Sequence, residues 1–225
     1  MTTSPAFSVS RELVERVAAN LADVRRRITS TGRELDSVRI VAVTKTFGVD
    51  VVHAAAEVGL TTVAENYVDE MESKRGSTRD LALRWHYLGS LQSNKIARAA
   101  KNADVLCGVS RSKELDRIAR ERPGMSIYVQ VDFTDWAQRN GVAVSDAAEL
   151  VERGRQLGLD VRGLMTVAAP ERDAARRAFL ATDELCRDLD LVERSMGMSD
   201  DLEVACECAT SEVRVGRALF GPRKV

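Results

Sequence analysis

The chain alternates between short apolar runs and longer stretches in which apolar positions recur every three or four residues. Leu13, Val14, Val17, Leu21, Val24 and Ile28 fall at helical spacing with Arg and Glu between them. This predicts an amphipathic N-terminal helix ending near Thr31-Gly32. Val38 to Thr46 is different in kind. Its mostly β-branched residues are apolar at consecutive positions, which suits one strand covered on both faces, as in a parallel sheet, and it ends on Lys45.

The same alternation continues to the end of the chain. Val51 to Val58 reads as a helix closed by Gly59, and Thr61 to Ala64 as a short strand running into Glu65-Asn66-Tyr67 and a polar helix to about Arg75. Strands are predicted at Arg84 to Gly89, Val105 to Cys107, Ile127 to Val131, Val161 to Val167, Val192 to Ser195 and Val213 to Val215. Between them lie helices over Asn94 to Ala100, Ser112 to Arg120, a stretch capped by Ser145, Ala174 to Leu189, and Asp201 to Cys208, with a closing segment at Phe220. Pro123-Gly124 marks a turn, and Asp132 to Gly141 a polar loop holding Trp136. One helix followed by eight strand–helix units predicts an α/β fold, a single (β/α)8 TIM-type barrel over residues 1–225, with residues 1–32 packed on it as an extra helix. A doubly wound open sheet shares this alternation and stays as the competing architecture.

Length and composition fit one domain, since barrels of this kind reach 225 residues undivided. Lys plus Arg number 33 and Asp plus Glu 34, a net charge of −1, and aromatics are 4%. That balance predicts no nucleic-acid partner and no anionic membrane surface as partner. Four scattered cysteines and two histidines, His53 and His86, show no metal-ligand spacing. Reduced thiols, no signal peptide in the first ten residues and no apolar run of membrane-spanning length together predict a cytoplasmic protein.

Candidate chemistry sits where strands end. Lys45 emerges from a buried strand, where partial desolvation favours the neutral amine that attacks a carbonyl; the competing reading is a lysine that only ends the strand and carries its charge to water. Ser195-Met196-Gly197-Met198-Ser199-Asp200-Asp201 is a small-residue turn with Ser199 as the expected helix cap. Val213-Arg214-Val215-Gly216-Arg217 is a strand running into a glycine. Two such loops after the last strands of a barrel form an anion cradle. An amine facing an anion cradle suits a ligand with both an aldehyde and a phosphate, and pyridoxal phosphate leads that class.

Several segments closely resemble the pyridoxal phosphate homeostasis protein family, relatives of the N-terminal barrel of alanine racemase. They are Val41-Ala42-Val43-Thr44-Lys45, Glu65-Asn66-Tyr67-Val68, Trp85-His86-Tyr87-Leu88-Gly89-Ser90-Leu91-Gln92-Ser93-Asn94-Lys95, Arg162-Gly163-Leu164-Met165, Ser195 to Asp201, and Val213 to Gly216 through Phe220-Gly221. The resemblance implies that Lys45 holds pyridoxal 5'-phosphate as a Schiff base, with Asn66 beside the ring and Arg214 at the pyridine nitrogen. It places Met198 and Ser199 with Gly216 and Arg217 at the phosphate. His86 reads as a framework group. The sequence departs from the family pattern at Ala64 (commonly glycine), at Arg217 (commonly a hydroxyl residue), and between Ala205 and Ser211, which lacks the usual glycine. Phe47 and Arg139 stand where the family often has further lysines.

Three functions follow as expectations. The first is a carrier that holds and releases pyridoxal phosphate without turnover, with cofactor-accepting apo-enzymes as candidate partners. The chain ends at Val225 with no C-terminal β-domain, which in alanine racemase supplies the second base and the dimer contact, so a monomer is expected. The second is an amino-acid racemase or specialised biosynthetic enzyme using the same cofactor on amino acids. The third is a barrel binding a phosphate ligand without covalent attachment.

Overall fold

The computed structural model describes residues 9–134 and 140–222; Trp136 and Arg139 lie outside the described residues. The chain runs as α1 (Arg11–Thr29), a short 3-10 turn (Leu35–Ser37), β1 (Arg39–Val43), α2 (Asp50–Glu57), β2 (Thr62–Glu65), α3 (Val68–Ser77), β3 (Arg84–Tyr87), α4 (Ser93–Asn102), β4 (Val105–Val109) and α5 (Ser112–Glu121). It continues through β5 (Ser126–Asp132), β6 (Val142–Ala143), α6 (Val144–Gln156), β7 (Asp160–Met165), α7 (Arg172–Asp188), β8 (Glu193–Ser195), α8 (Leu202–Glu207), β9 (Glu212–Val215) and α9 (Arg217–Phe220).

Every strand pairing is parallel, and the order β4-β3-β2-β1-β9-β8-β7-β5 is closed by pairing of β4 with β5. This is an eight-stranded barrel, not an open sheet. The two-residue β6 adds only a short ladder to the end of β5, Val131 to Val142 and Asp132 to Ala143. That ladder corrects one expectation. The chain passes straight from β6 into α6, whose N-cap is Ala143, so Ser145 lies inside the helix and its hydroxyl bonds Asp146 Oδ1 at 2.7 Å.

Strand residues alternate between two environments. Ala42 and Val63 join the large apolar core under the helices, whereas Val41, Val43 and Ala64 cluster with Leu88 inside the barrel. In α1, Leu13, Val17, Leu21, Val24 and Ile28 are buried, and the Ser10 hydroxyl caps the helix by accepting from Leu13 N. Asn20 Nδ2 donates to Leu219 O at 2.8 Å, which ties α1 to α9 and holds the last segment over the barrel. The four cysteines are free and buried, as thiols acting as small apolar fillers.

The tightest backbone approach lies between β7 and β8. A Cβ on Gly163 would sit 1.8 Å from Glu193 O, its register partner. Because the obstacle is backbone, Gly163→Ala is expected to destabilise the barrel by about 3 kcal/mol, near the upper end of ordinary overpacking. A urea-denaturation midpoint equal to that of the unsubstituted chain would contradict this.

Candidate functional site

The C-terminal ends of β1, β8 and β9 open onto a cavity of about 420 Å³. That is within the usual range for a small-molecule site. Its wall brings together six of the seven residues expected from the sequence: Lys45, Met198, Ser199, Arg214, Gly216 and Arg217. Val43, Phe47 and Leu88 supply apolar wall, and Asp200 a carboxylate. The seventh, Asn66, is outside the wall. It lies two residues beyond Ala64, which pairs with Val43, and so at the level of Lys45 on the neighbouring strand. Its Oδ1 is buried and has no hydrogen-bond partner among the described residues.

Lys45 is half-buried one residue beyond the buried Thr44. Across the cavity, the loop after β8 turns at Gly197, whose φ of +96° and 2.5 Å Cβ clearance from Ala205 admit no side chain. Ser199 is not the cap of α8 as the sequence suggested. The N-cap is Asp201, and its carboxylate accepts from Met198 N at 2.5 Å. The Ser199 hydroxyl instead reaches the loop after β9 and accepts from Ala218 N at 3.2 Å. Arg27 of α1 donates to Ser199 O at 2.9 Å while paired with Glu203, which clamps this loop from outside. Arg217 is exposed and paired with Asp200, an arrangement that contributes little by itself in water.

Arg214 differs from Arg217 in every respect. It is buried, and its guanidinium donates to Ser195 O at 2.5 Å, Ser195 Oγ at 2.8 Å and Thr166 O at 2.7 Å. Burial pulls its pKa below the usual arginine value, opposed by the charge of Glu212. Beneath it runs a polar column that sequence reasoning missed. Ser195 Oγ donates to Glu212 Oε1 at 2.7 Å, and Arg39 bridges Glu212 and Glu193 at 3.1 and 3.0 Å. Glu193 also receives Arg162 Nη2 at 2.5 Å and the Tyr128 hydroxyl. His86, expected as a framework group, is fully buried in this column. Its Nδ1 is 3.6 Å from Glu212 Oε1, an electrostatic contact, and neither ring nitrogen has a hydrogen-bond partner. The alternation Glu212-Val213-Arg214 carried a signal for part of the column: charges at every second position of a strand.

Among known proteins, the alanine racemase N-terminal domain model matches residues 14–224. The pyridoxal phosphate homeostasis protein of Pseudomonas aeruginosa is 37% identical over 220 residues, covering 94% of this chain and 96% of that one. The chain belongs to the pyridoxal phosphate homeostasis protein family. PipY of Synechococcus elongatus, in its structure with PLP bound, superposes with a TM-score of 0.78 at 30% identity, covering 91% of this chain and all of that one. An alanine racemase from Clostridium difficile shares the fold, with a TM-score of 0.78 at 16% identity over 94% of this chain and 58% of that one.

The polar column makes a pH prediction. Burial by itself would raise the Glu212 carboxyl, but His86, Ser195 and Arg39 outweigh it and hold the group at about 2, against 4.5 ordinarily. A carboxyl depressed on folding stabilises the native state above its unfolded pKa and loses that contribution as pH falls through its folded pKa. The difference corresponds to about 3 kcal/mol, lost between about pH 5 and pH 2. Glu212→Gln is expected to be less stable at pH 7 and to show a flatter loss of stability over that window. Urea titrations at several pH values measure both, and parallel acid profiles for the two chains would refute the assignment.

Proposed function

We propose that the protein binds pyridoxal 5'-phosphate covalently through Lys45 and acts in homeostasis of that cofactor, holding and releasing it without substrate turnover. The observation that carries this reading is the meeting of Lys45, Ser199, Gly216 and buried Arg214 in the wall of one cavity. The relatives support it by name, and PipY by its PLP-bound form.

The residues fit the cofactor. Lys45, Arg214 and Arg217 give the wall three cations against the one carboxylate of Asp200, suiting an anionic ligand. The orphaned Asn66 Oδ1 offers an acceptor at the level of Lys45 for a ring hydroxyl. When bound, the cofactor supplies an aldehyde carbon for an amine and an electron-accepting ring. Lys45 provides the amine. Ser199 and the backbone at Gly216 and Arg217 would hold the phosphate with Met198 beside them, and Val43 and Leu88 would supply apolar wall that excludes water.

Arg214 decides what the bound ring can do. A guanidinium donates hydrogen bonds and accepts none, so next to the pyridine nitrogen it disfavours protonation there. Ser195 links it to Glu212, whose charge opposes the cost of burying the guanidinium. The ring would then withdraw electrons weakly, which limits carbanion chemistry on amino acids. Phe47 packs on Phe220 with ring centroids 5.5 Å apart at the cavity edge, and a phenyl ring there forms no imine.

Adding pyridoxal 5'-phosphate is expected to give a yellow protein whose borohydride-reduced adduct maps to Lys45. Lys45→Ala is expected to lose the absorbance band. An adduct on Lys95 or Lys101, or a band that survives the substitution, would overturn the assignment. In deuterated water with a panel of amino acids, α-proton exchange at the rate of the free cofactor is expected; exchange well above it would favour the enzyme reading.

A further inference from the structure

The backbone that presents Lys45 is strained. Thr46, the next residue, has φ +68°, a left-handed conformation that a β-branched residue adopts only when its surroundings impose it. One cluster of side chains imposes it. Glu70 Oε2 accepts from Thr46 N at 2.9 Å and from Lys74 Nζ at 2.9 Å. Lys74 Nζ also donates to Thr44 O at 2.8 Å and to Glu65 Oε1 at 2.5 Å, and Glu65 Oε1 receives the Thr44 hydroxyl at 2.7 Å. Lys74 is buried, and its three N–H groups are all committed, so it has no role as a second nucleophile.

The placement of these bonds is specific. Thr44 O belongs to the peptide unit before Lys45 and Thr46 N to the peptide unit after it. Both peptide planes that meet at the Lys45 Cα are therefore held, directly or through Glu70, by one ammonium. Two fixed planes set the direction of the Lys45 Cα–Cβ bond, and hence the base from which a long, rotatable side chain reaches the cavity.

We propose that Lys74, acting with Glu65 and Glu70, is a positioning residue that aims Lys45 at the aldehyde of its ligand by enforcing the strained turn at Thr46. This rests on the reading of Lys45 as the attachment site. Glu65 lies inside the Glu-Asn-Tyr segment, and its carboxyl is raised by burial, offset in part by Lys74 and Thr44. It serves the turn, not the ligand.

The test compares Glu70→Ala, Lys74→Met and the double variant Glu70→Ala with Thr46→Gly, using pyridoxal 5'-phosphate as probe. Glu70 is partly exposed, so its variant folds even where Lys74→Met, which strands buried Glu65, does not. Glu70→Ala is expected to lower the thermal midpoint of the cofactor-free chain by no more than about 4 °C. Because small misplacements of a reacting group are costly, it is expected to raise the apparent dissociation constant for pyridoxal 5'-phosphate about tenfold. Amide hydrogen exchange in the cofactor-free chain is expected to show the Thr46 N–H losing protection. Glycine pays no penalty for a positive φ, so Thr46→Gly is expected to recover most of the lost affinity without raising the thermal midpoint in step. Recovery of that kind is not expected of an ion pair that only stabilises the barrel. If the unsubstituted chain is labelled at Lys45 but Glu70→Ala binds as tightly, or glycine restores nothing, the positioning role is wrong. If the unsubstituted chain is labelled elsewhere, the attachment reading itself fails and this role falls with it.

Discussion

The buried guanidinium of Arg214 sets the terms for the interior of this barrel. A closed eight-stranded barrel must fill its lumen with side chains, and this one fills much of it with charge. A buried cation without partners costs more than a small domain can supply. The lumen answers with a column in which Ser195 links Arg214 to Glu212, and Arg39 joins Glu212 to Glu193. Tyr128, Arg162 and His86 complete it. The arginine at the mouth is held by groups reaching down toward the opposite end of the strands, so the ligand pocket and the lumen are one electrostatic unit.

The mouth uses a second device. The column fixes a charge, whereas the cluster around Lys74 fixes a backbone conformation. Both place a cation where the pocket needs it. Arg214 is rigid because three carbonyl or hydroxyl oxygens hold its planar head. Lys45 is held at its root, through the peptide units on either side of it. The outer clamp of Arg27 on Ser199 O and Glu203 does the same for the loop that carries Met198 and Ser199 into the cavity wall. Three independent elements, lumen, helix α3 and helix α1, thus converge on one cavity of modest size.

Much of this was legible in the chain. The run from Val38 to Lys45, the alternation of strands with helical periods, and the glycine after Val215 are local signals, and local sterics and burial settle them. They predicted the strand–helix alternation and placed Lys45 and the two small-residue turns at strand ends, whereas the parts of Asn66, Met198 and Arg214 came from the family resemblance. Ser145 and Ser199 misled because a hydroxyl before an apolar run reads as a cap, whereas the N-cap positions fall to Ala143 and Asp201, neither of which makes a side-chain cap hydrogen bond. Glu65 stood within a quoted motif, and Glu70 and Lys74 sit four apart on one helix face, yet nothing local pointed them at Thr44 and Thr46.

By itself, then, the sequence determined the periodicity of the elements, the strand on which Lys45 ends and the small-residue turns that face it. These depend on neighbours within a few positions. Tertiary structure alone decided that the sheet closes, that Asn66 sits at the level of Lys45 but outside the cavity wall, and that the lumen charges find partners. Arg39 meets Glu193 and Glu212 across 154 and 173 residues. Such pairs form only when closure brings the first strand against the last, and a side chain's partner across a barrel is fixed by register, which no short window of residues contains.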